Sequence, residues 1–574
     1  MLTRRELLQG GLVAGAGLLI KPRPSITPTR HRRHGAFTRL WAQRAPDPSA
    51  TPLTPYVDRL SIPPVVRPAA REVLQIPMLQ FKRKLHRDLP PTTLWGYRAT
   101  SPGPTIEVRR GTPLDVEWTN RLPTSHFLPI DNTIHGAEPG TPPARAVVHL
   151  HGAKVLPEDD GHPEAWFTSD GQTGPYYNPK PYHYPNDQAA TTLWYHDHAL
   201  GITRLNLYAG LKGFYIIRDD AEGSLNLPKG NFEIPLMIHD AMFNPDGSLL
   251  YPTAEGGTHP AWIPEFFGDT MLVNGKAWPY LEVEPRKYRF RILNACNARF
   301  LRLTLMESDE SGNSKGSPGP PFNQIGTDGG LLAHPVRLNT LTMPNTSRAD
   351  VVIDFSGLMG KAFVLLNDAP APFPDGDDYV IPNVMLFKVN RPLSGPDRSS
   401  LPSDLVPLSV LDPGSAVRVR QLTLTEIDRE SDGFPVIALL DQKRWHDPVT
   451  EDPKLGSVEV WELINTTEDA HSIHLHVVQF QILNRQPFDV DAYLSSGTLT
   501  FTGPPVPPAP NEAPPSGHDI VNTLPGSVNR IVARFDLPAG TPVHSGQRFG
   551  FVWHCHISEH EDNEMMRPYE IVVA

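Results

Sequence analysis

Ser457-Val458-Glu459-Val460-Trp461-Glu462-Leu463-Ile464-Asn465 alternates apolar and polar side chains and closes on an asparagine. A period of two sends successive side chains to opposite faces, so the stretch reads as a strand with one buried face. The pattern occurs twice upstream. Pro104-Thr105-Ile106-Glu107-Val108 leads into Leu114-Asp115-Val116-Glu117-Trp118-Thr119-Asn120, and Tyr280-Leu281-Glu282-Val283 leads into Tyr288-Arg289-Phe290-Arg291-Ile292-Leu293-Asn294. Copies starting at 104, 280 and 457 are too far apart for a solenoid, whose period is about 20–50 residues. They mark three similar β units.

Other alternating runs agree, among them Val147–His151, Phe214–Ile217, Ala349–Phe355 and Asn529–Phe535. Proline supplies 64 of the 574 residues, about twice ordinary usage. Proline breaks helix interiors, which excludes a mostly helical chain. Short strands between Gly/Pro turns give an all-β expectation of sandwiches or barrels. The expected units are residues 75–225, 226–395 and 396–574, preceded by a Pro-rich arm over 35–74 and a leader over 1–34. The stretch 504–515 holds seven prolines and reads as a stiff surface loop.

The net charge is −11, yet residues 1–34 carry seven basic side chains and one acidic one. The remainder is therefore more acidic than the whole and a poor non-specific binder of nucleic acid. Two cysteines exclude a disulfide framework. Arg4-Arg5 precedes a Gly-rich apolar run from Gly10 to Ile20, closed by Lys21 and Arg23. That run is too short to span a bilayer and reads as a Tat-type export signal, with the Tat machinery as partner and the periplasm, cell surface or outside as destination. No other apolar run approaches membrane-spanning length, and the mature chain is expected to be a monomer.

The histidines carry the chemistry. His149-Leu150-His151 and His196-Asp197-His198 lie in the first unit; His471-Ser472-Ile473-His474-Leu475-His476 and His554-Cys555-His556 lie in the third, with His560 and Met565 close behind. On a strand, residues i and i+2 share a face, so each H-x-H presents two imidazoles side by side. One such pair is weak as a sign of metal, but four are hard to attribute to packing. Imidazole suits Cu, Zn, Fe or Ni. Cys555, His560 and Met565, with His471 as second imidazole, form the His₂Cys-plus-thioether set of a blue-copper site. Zinc is disfavoured because it does not cycle electrons. Cys555 should point away from its neighbours, so one residue would serve one copper while His554 and His556 serve others. Cys296 reads as a small buried thiol. Isolated His239, His259 and His334 lack metal-site spacing, while His162, His183 and His518 are left open.

His149-Leu150-His151-Gly152, Trp194-Tyr195-His196-Asp197-His198, the 471–476 cluster and the 554–565 cluster resemble, in order, the four copper motifs of multicopper oxidases. The stretch Ala199–Ile217 and His560-Glu561-Asp562 are most similar to the branch holding spore-coat laccase and bilirubin oxidase. The resemblance covers roughly residues 75–574 and implies three cupredoxin-like Greek-key domains, the middle one without copper ligands. It implies four copper ions: a type 1 copper on His471, Cys555, His560 and Met565; a type 2 copper on His149 and His474; and a type 3 pair on His151, His196, His198, His476, His554 and His556. Such a protein takes single electrons from a small aromatic reductant, phenol or amine, and reduces dioxygen to water. Asp160 and Glu561 match acidic positions near the cluster and would relay protons. Ser472 stands where the family usually has proline, which frees the backbone without removing a ligand. Met565 as axial group implies a moderate type 1 potential. No Met-rich insert is present. Bilirubin or aminophenol oxidation, oxidation of Cu(I) or Mn(II), and a non-enzymatic copper-binding coat or storage role are the alternatives; retention of both carboxylates favours catalysis.

Overall fold

The computed structural model describes residues 53–69, 72–253, 262–376, 380–429 and 435–574. The expected leader (1–34) and the first part of the expected arm lie outside the described residues. Among the described residues the strands form six sheets, two for each copy of the repeat. In the first unit a five-stranded sheet, containing Val148–His151, Thr191–Asp197 and Lys212–Arg218, faces a four-stranded one centred on Val73–Arg83 and Leu114–Arg121. Ile76, Val116, Leu150, Leu193 and Tyr215 fill the space between. The middle unit pairs seven- and six-stranded sheets, and the third pairs five- and four-stranded ones. Sheets stacked over interdigitated apolar side chains are β-sandwiches. Among the described residues no helix is long and apolar enough to cross a membrane.

The three repeat strands occupy equivalent places. Each runs parallel to an earlier strand of its own unit: Leu114–Arg121 beside Val73–Arg83, Lys287–Asn294 beside Glu233–Ala241, Val458–Asn465 beside Arg418–Asp428. Each closing asparagine does the same work. The side-chain oxygens of Asn120, Asn294 and Asn465 accept from the backbone N–H two residues on, at 2.9, 3.1 and 2.9 Å. Each Nδ2 donates to two carbonyls: Ala144 and Phe167, Arg299 and Met343, Asp469 and Thr523. An Asx turn that satisfies buried backbone groups as the strand leaves the sheet explains why asparagine ends every copy.

The expectation of one buried face fails for the third copy, where Glu459 is buried against Arg420, and more fully for the middle copy. Phe290 and Ile292 enter the core, but Arg289 and Arg291 are also buried. Their face is covered by packing against the first unit and carries an ion network instead of water. Arg289 Nε donates to Asp350 at 2.9 Å and Arg291 Nε to Glu233 at 2.6 Å, while Arg291 Nη1 reaches Thr192 of the first unit at 2.7 Å.

The described end of the arm lies along two units. Tyr56 and Leu60 N–H groups donate to the Trp278 and Tyr280 carbonyls at 2.9 and 2.8 Å, and Val65-Val66 pairs parallel with Thr105-Ile106. The Pro-rich loop is pinned by a reciprocal backbone pair between Arg485 and Val506, at 2.9 and 2.7 Å, and exposes Val506.

Candidate metal centre

Four strand ends bring the histidine motifs together. Val148–His151 runs antiparallel to Thr191–Asp197 with His149 opposite His196. His471–Leu475 runs antiparallel to Arg548–Cys555 with His474 opposite His554 and Ile473 opposite Cys555. Directly opposed residues have Cβ atoms about 4.5–5.5 Å apart, so each pairing doubles the imidazoles at one spot. The two sheets meet through stacked rings: His149 on His476 and His151 on His474, each with centroids 3.8 Å apart. The cluster is therefore shared between the first and third units, and every ring in it is buried.

The outer nitrogens are tied down. His149 Nδ1 meets the Asp160 carbonyl at 2.6 Å, His196 Nδ1 that of Asp197 at 2.8 Å, His474 Nδ1 that of Asp519 at 2.8 Å, and His554 Nδ1 that of Cys555 at 3.1 Å. His476 Nδ1 meets Asp160 Oδ2 at 2.7 Å. A neutral imidazole has one N–H; spending it outward leaves a lone pair pointing inward. The Nε2 atoms of His149, His196 and His474 are buried there without a hydrogen-bond partner. His476 Nε2 and His554 Nε2, both stripped of hydrogen by these outward bonds, face each other at 3.2 Å. His198 Nε2 lies 3.3 Å from His554 Nε2, and His151 Nδ1 lies 3.2 Å from His556 Nε2.

Opposed lone pairs repel unless a cation lies between them. Two nitrogens held tetrahedrally at metal–nitrogen bond lengths stand about 3.3 Å apart. The spacings fit that arrangement, and several triads, among them His149/His474/His476 and His198/His476/His554, hold their donor atoms within 4.8 Å of one another. Burial pushes the pKa values of His198 and His554 down to about 3, and those of His151, His196, His474, His476 and His556 well below the ordinary imidazole range; neighbouring imidazoles add to the effect. Neutral imidazole is the form that ligates.

A second centre lies on the far side of the same strand. Cys555 Sγ is 3.7 Å from His471 Nδ1 and 4.0 Å from His560 Nδ1, and the two nitrogens are 3.2 Å apart. Met565 is wholly buried; its N–H donates to the His560 carbonyl and its carbonyl accepts from Cys555 N–H, both at 2.9 Å. His560 is placed by a short helix, Ser558–Asp562. Burial raises the Cys555 thiol well above its usual range. A bound cation would reverse that, since a coordinating thiol is deprotonated. Both centres thus fit metal ions, with soft sulfur and imidazole donors suited to copper.

Asp160 and Glu561 are both buried beside the cluster. Glu561 Oε2 is 3.3 Å from His554 Nδ1 and 3.8 Å from His556 Nδ1, and Oε1 is 3.7 Å from His198 Nδ1. Burial pushes its pKa up to about 7, against the pull of His198. Ser472 is more than a relaxed proline: its hydroxyl donates to Asn345 of the middle unit, and Asn345 in turn donates to the His556 carbonyl. Of the other histidines, His183 pairs with Asp115 at the surface, His334 with Asp404, and His162 stacks on Tyr176. His239 is held neutral by burial and the Lys212 charge. His259 lies outside the described residues. Cys296 is buried after its strand, its thiol raised by burial.

Sequence reading missed the supports. Asp197, between two candidate ligands, accepts from the N–H groups of Val147 and Ala199 and from Asn206, at 3.0, 3.0 and 2.8 Å, which locks the turn that aims His198. Asp562 accepts from Thr203, Arg204 and the Arg204 guanidinium. Asp519 and Arg348 also stand against the cluster. The visible signal at Asp197 was its place inside H-x-H and at Asp562 its place after His560-Glu561; Asp519 and Arg348 carry none, because the contacts that give them a role join distant parts of the chain.

Residues 141–222 and 417–573 match the family description "multicopper oxidase". The chain is similar to a laccase of Bacillus stratosphericus, 47% identical over 91% of this chain and 99% of the relative. It is 46% identical to a laccase of Bacillus subtilis, over 90% and 99%. The McoA multicopper oxidase of Aquifex aeolicus superposes with a TM-score of 0.70 at 25% identity, covering 90% of this chain and 99% of that one.

Proposed function

The chain belongs to the multicopper oxidase family and is a copper-binding oxidoreductase of the laccase type, and from that premise we propose which residues hold the coppers and what they act upon. His471, Cys555, His560 and Met565 hold a type 1 copper; His149 and His474 a type 2 copper; His151, His196, His198, His476, His554 and His556 a type 3 pair. Phenols or aromatic amines are the reductant. Copper bound there supplies one-electron oxidation and the four-electron reduction of dioxygen to water. The observation that carries this reading is the facing pair of hydrogen-free nitrogens on His476 and His554, 3.2 Å apart and fully buried.

The protein supplies orientation and protons. Asp160 fixes two rings at once, His149 through its carbonyl and His476 through its carboxylate. Such supports set ring orientation and ligand basicity. Glu561, whose carboxyl burial pushes up to about 7 in the metal-free fold, borders three of the cluster imidazoles and is placed to carry protons to the cluster. Residues 1–34 direct Tat-type export, and the mature protein acts as a monomer outside the cytoplasm.

The test is dioxygen uptake by copper-loaded protein given a dimethoxyphenol, with peroxide assayed in the same vessel. One dioxygen consumed per four substrate electrons without peroxide is expected. A blue protein that consumes none would overturn the phenol reading.

A second reading, oxidation of a metal ion such as Cu(I) or Mn(II), is favoured by carboxylates around the type 1 imidazoles. Glu426 Oε1 lies 3.8 Å from His471 Nε2 and 3.9 Å from His560 Nε2. Buried Glu265 is raised well above the usual carboxylate range by desolvation and by the charges of Asp469, Glu426 and Glu559. Such a cluster gains by taking up a cation. Saturable oxidation of Mn(II) or Cu(I) that Glu265→Gln weakens more than phenol oxidation would favour it.

A further inference from the structure

We propose that Asp519 is a positioning residue for the copper cluster and that Arg348, from the ligand-free middle unit, holds it in place. The inference rests on the copper assignment above and concerns residues that assignment does not use. Asp519 precedes the Ile520–Thr523 strand, which pairs with the His471–Leu475 strand. Its carbonyl accepts from His474 Nδ1 at 2.8 Å and from Leu475 N–H at 3.2 Å. Its carboxylate Oδ1 accepts from His151 Nε2 at 3.1 Å. One residue therefore orients two stacked rings, one from each unit. The bond to His151 has a further consequence. With the proton on Nε2, the lone pair of His151 is on Nδ1, the nitrogen that faces His556; in His149, His196, His474, His476 and His554 the outward bond is made by Nδ1. Asp519 selects the opposite tautomer at His151 alone among these rings.

A buried carboxylate needs a partner, and Arg348 supplies it by a two-pronged contact, Nη1 to Oδ1 at 2.7 Å and Nη2 to Oδ2. Arg348 is itself fixed by the first and middle units. Its Nε donates to the Thr192 carbonyl at 3.0 Å in the first unit, its Nη1 to the Thr346 carbonyl at 3.2 Å in the middle unit, and its backbone N–H to Asp328 at 2.7 Å. Both side chains are about 1% exposed.

Gly152 supports this independently. It follows His151 with φ +82°, and a Cβ placed on it would lie 2.5 Å from Asp519 Oδ2 and 2.8 Å from Arg348 Nη2. The glycine closing His149-Leu150-His151-Gly152 leaves the space that the ion pair fills. The middle unit thus shapes the cluster without contributing a ligand.

The experiment compares copper-loaded wild type with Asp519→Asn, Arg348→Gln and Gly152→Ala by chelator titration, copper count, type 2 EPR and the near-ultraviolet absorption of the coupled pair. The blue type 1 absorption reports that the fold is intact. Supports of ligating histidines are typically worth about 10–100-fold in metal affinity. A loss of that order at the cluster, with an altered type 2 EPR signal and the blue absorption retained, is expected in all three. Cluster affinity and EPR equal to wild type in the variants would overturn the proposal. Should the neutral variants fail to fold, Gly152→Ala and Arg348→Lys decide, and wild-type behaviour in both overturns it. A wild type that binds no cluster copper would overturn the copper assignment itself, a separate outcome.

Discussion

Cys555 and Glu561 divide the chemistry between them at the scale of single residues. Cys555 Sγ lies within 4.0 Å of a ring nitrogen of both His471 and His560. Serine in its place keeps the size but offers a hard oxygen, which suits copper poorly. Cys555→Ser should lose the blue thiolate-to-copper absorption and all phenol oxidation while cluster copper remains; visible spectra and a copper count check it. Glu561→Gln keeps the shape and removes the proton. General acid catalysis contributes about 10²–10⁴-fold, so reoxidation of the reduced enzyme by dioxygen should slow within that range while its reduction by phenol changes little. Stopped-flow traces of the two half-reactions distinguish them, and a variant slowed only in reduction would disprove the proton role. The candidate ligands were legible because each motif is local: H-x-H spacing on a strand needs no knowledge of the fold. Asp519 and Arg348 were not, because what makes them matter is contact across 171 positions of chain.

The elements show where local patterns stop. Strands were legible through their period of two and through the asparagine that ends each repeat. The helices Thr203–Ala209 and Ser558–Asp562, seven and five residues long, were not. Helices that short are unstable alone and exist by tertiary contact. Here the contact is Asp562. Thr203–Ala209 has no side-chain cap of its own at Ile202. Instead Asp562, from the helix that places His560, accepts from Thr203 N–H at 2.9 Å, Arg204 N–H at 3.0 Å and Arg204 Nη1 at 2.8 Å. One carboxylate caps a helix of the first unit and neutralises a buried guanidinium. Burial pushes its pKa up to about 6, with Arg204 pulling against that. Asp562→Ala strands two helix N–H groups and a buried charge, a loss of about 3–5 kcal/mol. Denaturant unfolding of the copper-free protein measures it, and Asp562→Asn, which still accepts a hydrogen bond, should lose less.

The whole molecule depends on charges that sequence patterning places in water. Arg289 and Arg291 alternate with Phe290 and Ile292 as a solvated face would, yet the first and middle units close over them. Glu222 and Glu233 meet Arg218, Arg289 and Arg291 there, with Asp350 completing the network. Burial alone would raise the Glu233 carboxyl, but Arg291, Arg289 and Arg218 overturn that and hold it well below the ordinary carboxylate range; Glu222 is lowered in the same way. Their folded pKa values lie below the unfolded value of about 4.3. The unfolded chain then binds more protons than the folded one over the interval between, so stability rises with pH there. The contribution is complete above the unfolded value and is lost as pH falls through the folded one. Glu233→Gln removes one titrating member and leaves buried guanidinium charge without its partner, a cost of about 3–5 kcal/mol near neutrality. The wild-type unfolding midpoint should fall steeply as the pH drops below about 4.3, whereas the variant should start lower and fall less. Denaturant midpoints of copper-free protein from pH 7 downward test this without interference from metal loss, and parallel curves for the two proteins would show that the network does not set the acid limit.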